Sequence, residues 1–218
     1  RAFGVASRSM DQRLTRARRR LRESADDEAP HVGSARGRLD AVLATVHLLF
    51  NEGYWSADDE APIRGDVCRL AIGLGRSLHE ALPDEPEVAG LLALMLLHEA
   101  RRPARLDAAK KPVPLPEQDR SRWDHAAIAE GTALLDAALR ANAPGPHQIE
   151  AAISAVHGHA ASADETDWVE IASLYELLEK ARPSPAVSVN RAFAVARAHG
   201  AEAGLCLLDP ADASSSAQ

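Results

Sequence analysis

The sequence predicts an all-α protein: a partial helix-turn-helix followed by an array of α-helical hairpins. Three observations carry this. Alanine, leucine, glutamate and arginine dominate the 218 residues, a composition that favours helix, while aromatics are only 4 %. Runs of β-branched residues bounded by turn signals are nearly absent, so no sheet is expected. Finally, an apolar helical pattern stops at a proline three times and resumes at a second proline shortly after, at Pro83-Asp84-Glu85-Pro86, Pro144-Gly145-Pro146 and Pro183-Ser184-Pro185.

The first element is basic. Residues 1–24 hold eight arginines against Asp11 and Glu23, while the rest of the chain has 17 basic and 30 acidic residues. An asymmetry of this size points to a small polyanion-binding piece joined to a larger acidic body. Ser9 and Gln12 form a capping box that starts a helix at Met10. Met10, Leu14, Ala17 and Leu21 make one apolar stripe, and the far face carries Gln12, Thr15, Arg16 and Arg19. Arg13 and Arg20 flank one side of the stripe, Arg18 and Arg22 the other. Phe3-Gly4-Val5 ahead of the cap reads as a helix end and tight turn, the latter half of a helix-turn-helix. Such a helix docks its stripe on a supporting helix and points its first exposed turn into the DNA major groove. Asp11, Gln12, Arg13 and Arg16 stand where base edges would be reached, and Gln and Arg have bidentate geometry for adenine and guanine. Thr15, Arg19 and Arg20 complete the candidate DNA-binding set, with the later arginines suited to phosphates. The same pattern also suits a solvated basic helix, or one paired with the acidic body.

Residues 25–36 read as a linker, 37–209 as a helical body and 210–218 as a disordered tail. Within the body a helix is expected near 37–52, then hairpins at 64–101, 123–158 and 167–199, and a capping helix near 201–208. Proline ends the first helix of a pair and is tolerated in the first turn of the next. Leu91, Leu92, Leu94, Met95, Leu96 and Leu97 are too apolar for an exposed face and define a central buried helix. Trp168, Ile171, Ala172 and Tyr175 match the spacing of the first tetratricopeptide helix, with Ala for Gly, so the array reads as tetratricopeptide-like. Stacked hairpins of this kind leave a concave surface suited to peptides or other domains. Trp123 and Trp168 are expected to plug between hairpins. The segment Arg101–Trp123 interrupts the helices, and a loop of that length is a candidate for contacts with a partner.

The sequence offers little chemistry. Cys68 and Cys206 lie in apolar patterns and read as two buried thiols in a reducing compartment. His157 and His159 are too close to share a helix face, and His98-Glu99 lacks a second histidine one turn on. His47 with Asn51 and Glu52 could line a polar pocket, though a satisfied buried histidine is the simpler expectation. No metal-ligand, nucleophile-elbow or phosphate-loop motif is present, so no enzyme, cofactor or metal is expected. No apolar run is long enough to span a bilayer.

Ser9, Arg13, Leu14, Arg16, Ala17, Arg18, Leu21 and Arg22 resemble the end of region four of bacterial extracytoplasmic-function sigma factors. The stretches LATVHLLFNEGYWS, LPDEPEVAGLLALMLLHEARRPAR and LPEQDRSRWD resemble the C-terminal extension of the sigma-factor group that carries a tetratricopeptide-like domain behind region four. That second resemblance runs from about Leu39 to Asp209 and departs from the pattern at His47, where tyrosine is common, and at AAKKP, which replaces a glycine-containing turn. The resemblance implies a cytoplasmic protein that reads the upstream promoter element within RNA polymerase holoenzyme. It implies promoter DNA and core RNA polymerase as partners. It also implies a region two and a first part of region four ahead of this sequence, which the extension would contact within the same protein. A regulatory protein on the extension is a further expected partner. An interaction scaffold with no DNA role is the alternative.

Overall fold

The structure is a computed structural model, and it describes residues 35–55 and 63–208. All regular elements among them are helical: α1 (Ala35–Tyr54), α2 (Gly65–Ala81), α3 (Pro86–Glu99), α4 (His125–Leu139), α5 (Pro146–His159), α6 (Trp168–Ala181), α7 (Pro185–His199) and α8 (Ala201–Cys206). The only β pairing among them is an isolated bridge, Leu106 with Pro112. No helix among the described residues is long and apolar enough to cross a membrane. The chain divides into two compact units, residues 1–48 and 49–218. In the first, the described part is helical, with Arg36 and Asp40 paired one turn apart and the Thr45 hydroxyl donating to the Ala41 carbonyl.

The second unit follows the proline joints. Pro86, Pro146 and Pro185 each open a helix, where the missing N–H costs nothing because the first turn has no intrahelical acceptor for it. The pairs α2/α3, α4/α5 and α6/α7 are three successive helical hairpins, and α8 packs on α7. α3 is the centre: it packs against α2, α4 and α5, and every residue from Glu87 to Leu97 is buried. A helix apolar on all sides needs neighbours on all sides, and these three supply them.

Two apolar clusters run through the array. Ala93, Leu94 and Leu97 of α3 meet Trp123, Ile128, Leu135 and Ala151 in one. Ile149 and Ile153 of α5 meet Ile171, Leu178 and Val187 in the other. α5 therefore serves both cores, with Ala151 and Ala155 on one side and the isoleucines on the other. Small residues on the α3 side allow close helix approach. Larger ones face the third hairpin.

Local side-chain caps start three of the helices. Asp124 accepts from the Ala126 and Ala127 N–H groups at the start of α4, Asp167 from Glu170 at α6, and Ser184 from Val187 at α7. α5 is different. Its cap position is Gly145, which has no side chain to offer. The Glu87 carboxylate of α3 fills that role from across the core. Its Oε2 accepts from the His147 backbone N–H at 3.1 Å, and Oε1 from the Gln148 N–H at 3.2 Å.

Of the two cysteines expected to be buried, only Cys206 departs from expectation. Cys68 is buried, with its thiol 3.8 Å from the Phe50 carbonyl, and burial pushes its pKa up to about 11. Cys206 ends the terminal helix α8 and is exposed, because no further hairpin among the described residues covers that face.

Candidate functional site

Asp11, Gln12, Arg13, Thr15, Arg16, Arg19 and Arg20, the candidate DNA-binding residues, lie outside the described residues. Of the other polar groups singled out by sequence, His47 is half-buried and partnered, while Asn51 and Glu52 are exposed. Among the described residues no three His, Cys, Asp or Glu side chains are grouped to hold a metal ion.

The segment between α3 and α4 forms a strap fixed at both ends. At its start, the Arg105 guanidinium lies 3.4 Å over the Tyr54 ring and donates to the Tyr54 carbonyl at 2.6 Å. Tyr54 stacks on Phe50 at 5.6 Å, and His98 packs against Tyr54 at 5.1 Å. Gly53 lets the chain pass here: a Cβ would sit 2.7 Å from the Cys68 nitrogen and 2.9 Å from the Arg64 carbonyl. At the strap's tip the Asp107 carboxylate accepts from the Ala109 and Lys111 N–H groups, and Lys110 takes the left-handed conformation at φ 60°. This is the AAKKP turn, and its geometry is the one glycine adopts most readily. At the strap's end, Arg120 donates to the His157 and Ala160 carbonyls at the C-terminus of α5, while its guanidinium stacks 4.6 Å from the buried Trp123 ring. A cation against unpaired C-terminal carbonyls satisfies them and opposes the helix dipole. The strap closes where the Asp124 N–H meets the Ala100 carbonyl at 2.9 Å.

Between the strap's far end and the third hairpin lies a cavity of about 210 Å³. Its floor is Ile171, fully buried, and Leu115 and Pro116 of the strap close one side. Trp168 is its central wall. The ring meets Phe193 of α7 edge-on at 5.6 Å and His157 of α5 edge-on at 5.3 Å. Trp123 plugs the core as expected, and Trp168 packs half-buried against the second cluster between α5 and α7 while its other side lines the cavity. Tyr175 lines the cavity one turn beyond Ile171, and Asn190 and Arg197 stand on the α7 side. The Arg197 guanidinium lies 5.1 Å from the Trp168 ring centroid.

The electrostatics of this wall are positive. Burial, together with the nearby Arg101 and Arg120, brings the His157 imidazole down to about 4, so it is neutral at physiological pH. Neither His157 Nδ1 nor Trp168 Nε1 has a hydrogen-bond partner. The arrangement can hold an apolar group against aromatic faces and offer a cation at the rim. It contains no nucleophile paired with a base, and the His98–Ser154 contact at 2.9 Å is packed between α3 and α5 rather than in this cavity.

Sequence spacing named Trp168, Ile171 and Tyr175 but assigned them to packing. Phe193 and Arg197 were missed. Their signal was an aromatic and a cation one turn apart on a helix whose partner presents a tryptophan.

The fold and the cavity define a protein of stacked helical hairpins. A family model described as a family of unknown function (DUF6596) matches residues 38–139, which take in α1 to α4 and the strap. The chain is also similar to an uncharacterized protein of Rhizobium meliloti (strain 1021), with 43 % identity over 211 residues. That match covers 96 % of this chain and 50 % of the relative, so the chain spans about half the length of the curated relative it matches. No solved structure matches.

Proposed function

We propose that this chain is the C-terminal part of a bacterial extracytoplasmic-function sigma factor. In this reading residues 1–24 are the promoter-reading half of region four, and the helical body is an extension that regulates sigma activity through protein contacts. The observation that carries it is the sequence Ser9–Arg22, whose cap, apolar stripe and arginine placement suit a recognition helix, set ahead of an acidic body. The fold of that body supports the reading, since the stretches that resemble the extension form its first hairpin joint, its central helix and the two ends of its strap. The partners are then promoter DNA, core RNA polymerase, and the region two and first part of region four of the same protein. The protein works in the cytoplasm, by recognition rather than catalysis.

The test uses the full-length protein. Arg13→Ala with Arg16→Ala should abolish promoter discrimination, while Arg20→Ala should weaken DNA binding uniformly and flatten its salt dependence. Truncation of the extension should change output from target promoters. An unchanged promoter profile in all three variants would overturn the reading.

The cavity beside Trp168 favours a second reading, a tetratricopeptide-like interaction scaffold with no DNA role. That scaffold predicts no effect on DNA from any of the arginine changes.

A further inference from the structure

We propose that the cavity beside Trp168 receives an acidic peptide segment, which inserts one apolar side chain between Trp168 and Phe193 and sets a carboxylate on Arg197. The proposal stands on the cavity alone and does not need the promoter reading.

Size comes first. At about 210 Å³ the space is smaller than the pockets that enclose cofactors or drug-sized ligands, and it suits a single side chain. Its walls are Trp168, Tyr175 and Phe193, which offer apolar area at little entropic cost. Phe193 is 58 % exposed, and Val189 one turn earlier on α7 is 55 % exposed, so the apolar surface continues out of the cavity along the helix. A peptide lying there would keep contact beyond the inserted residue.

Three polar groups at the site make no hydrogen bond or ion pair with any described residue: the Arg197 guanidinium, the Asn190 carboxamide and the Tyr175 hydroxyl. Arg197 is held by its stacking on Trp168 and keeps its donors for a carboxylate. Asn190 presents both a donor and an acceptor, which suits a peptide backbone. Of the nearby acids, Glu150 pairs with Arg182 through one oxygen only, and Glu165 accepts from the Ser162 hydroxyl. Arg101 and Arg120 add to the positive field at the His157 wall.

The sign of the partner follows from complementarity. A peptide is favoured over a nucleic acid because residues 25–218 carry 30 acidic against 17 basic side chains. A long polyanion crossing that surface would be repelled beyond the rim, whereas a short segment meets only the local cations.

The experiment measures fluorescence anisotropy of labelled peptides on the 218-residue chain. The acetylated amide Glu-Glu-Leu-Glu-Glu should bind saturably, with a Kd on the order of 100 µM. Its counterparts with Ser at the centre or Lys on the flanks should bind at least about tenfold more weakly. Arg197→Ala and Phe193→Ala, both at exposed positions, should each weaken the acidic peptide by roughly tenfold without changing the circular dichroism spectrum. Absence of saturable binding, equal binding of the Lys-flanked peptide, or binding unaltered in both variants would overturn the proposal, the last by placing the peptide elsewhere, as on the basic N-terminal stretch. A DNA duplex whose own binding is lost in these two variants would also overturn it, since the occupant would then be nucleic acid. Duplex binding that persists in both variants, alongside lost peptide binding, supports it and leaves the promoter reading intact.

Discussion

Glu87 and His147 are joined twice inside the protein: one carboxylate oxygen, Oε2, accepts both the His147 backbone N–H at 3.1 Å and its Nδ1 at 2.9 Å. The other oxygen takes the Gln148 N–H and its side-chain amide, the latter at 3.1 Å. This buried carboxylate therefore has four donors around it, two of them orphan N–H groups of the first turn of α5. Burial opposes the charge, but the hydrogen bonds and charge interaction from His147 prevail and hold the Glu87 carboxyl below its ordinary value. Glu87→Ala would remove the shared acceptor of these four bonds from the core, although the Gln148 amide also donates to the Ala143 carbonyl. It should cost about 3–5 kcal/mol in urea denaturation, and Glu87→Gln, which keeps the shape, less than that. Equal and small losses for the two would show that the carboxylate is not the cap.

The same contact explains a glycine. A Cβ on Gly145 would overlap the Glu87 carboxyl group. Gly145→Ala should therefore destabilise by about 2 kcal/mol or more through displaced packing. Gly73, inside α2, supplies the control, because a Cβ there meets nothing within 4 Å. Gly73→Ala should raise stability by about 0.5–1 kcal/mol through helix propensity alone. The opposite signs of the two substitutions, read from thermal or urea melts, are the test.

The strap's tip carries a separate strain. Lys110 sits at φ 60°, a conformation that costs a residue with a Cβ about 1–2 kcal/mol relative to glycine. Lys110→Gly should stabilise by about 0.5–1 kcal/mol, after the greater chain entropy of glycine is set against the relieved strain. Lys111→Gly, at a position with negative φ, should destabilise instead. A Lys110→Gly variant less stable than the parent would refute the strain.

These cases mark what was legible in the sequence. The hairpin joints were, because proline acts locally and the two prolines of each joint lie within four residues. The buried helix α3 was too, since its apolar run admits no exposed face. The cap of α5 was not. Its donors and its acceptor are 60 residues apart, and Gly145 shows only that no local cap exists. The role of Trp168 was half legible: its spacing told of packing, but the open side depends on where Phe193 and the strap lie. The strap's course was hidden because Arg105 and Arg120, within a loop that reads as a candidate for partner contacts, bind backbone carbonyls and aromatic rings of the same chain. The burial of Cys206 was misjudged because an apolar pattern does not reveal that no described element covers that face of the helix. The basic stretch, the strongest signal of function, lies outside the described residues.

Acid stability should carry the signature of His157. Its ordinary pKa of 6.5 falls to about 4 in the folded protein, chiefly through burial and then through Arg101 and Arg120. Between those values the unfolded chain takes up a proton that the folded protein refuses. Unfolding is thus favoured as pH falls from 6.5 toward 4, and the effect levels off below. The contribution should be on the order of 2 kcal/mol, after allowance for the partial solvent contact of the ring. Glu87 acts in a lower window. Its contribution is complete above its ordinary value of 4.5 and is lost as pH falls through its depressed folded value. His157→Gln keeps a polar side chain of similar reach but cannot titrate. Urea midpoints taken at half-unit steps should show the parent losing stability below pH 6.5 more steeply than His157→Gln, with the two curves parallel again below pH 4. Parallel curves throughout that window would mean that His157 titrates alike in the folded and unfolded chain.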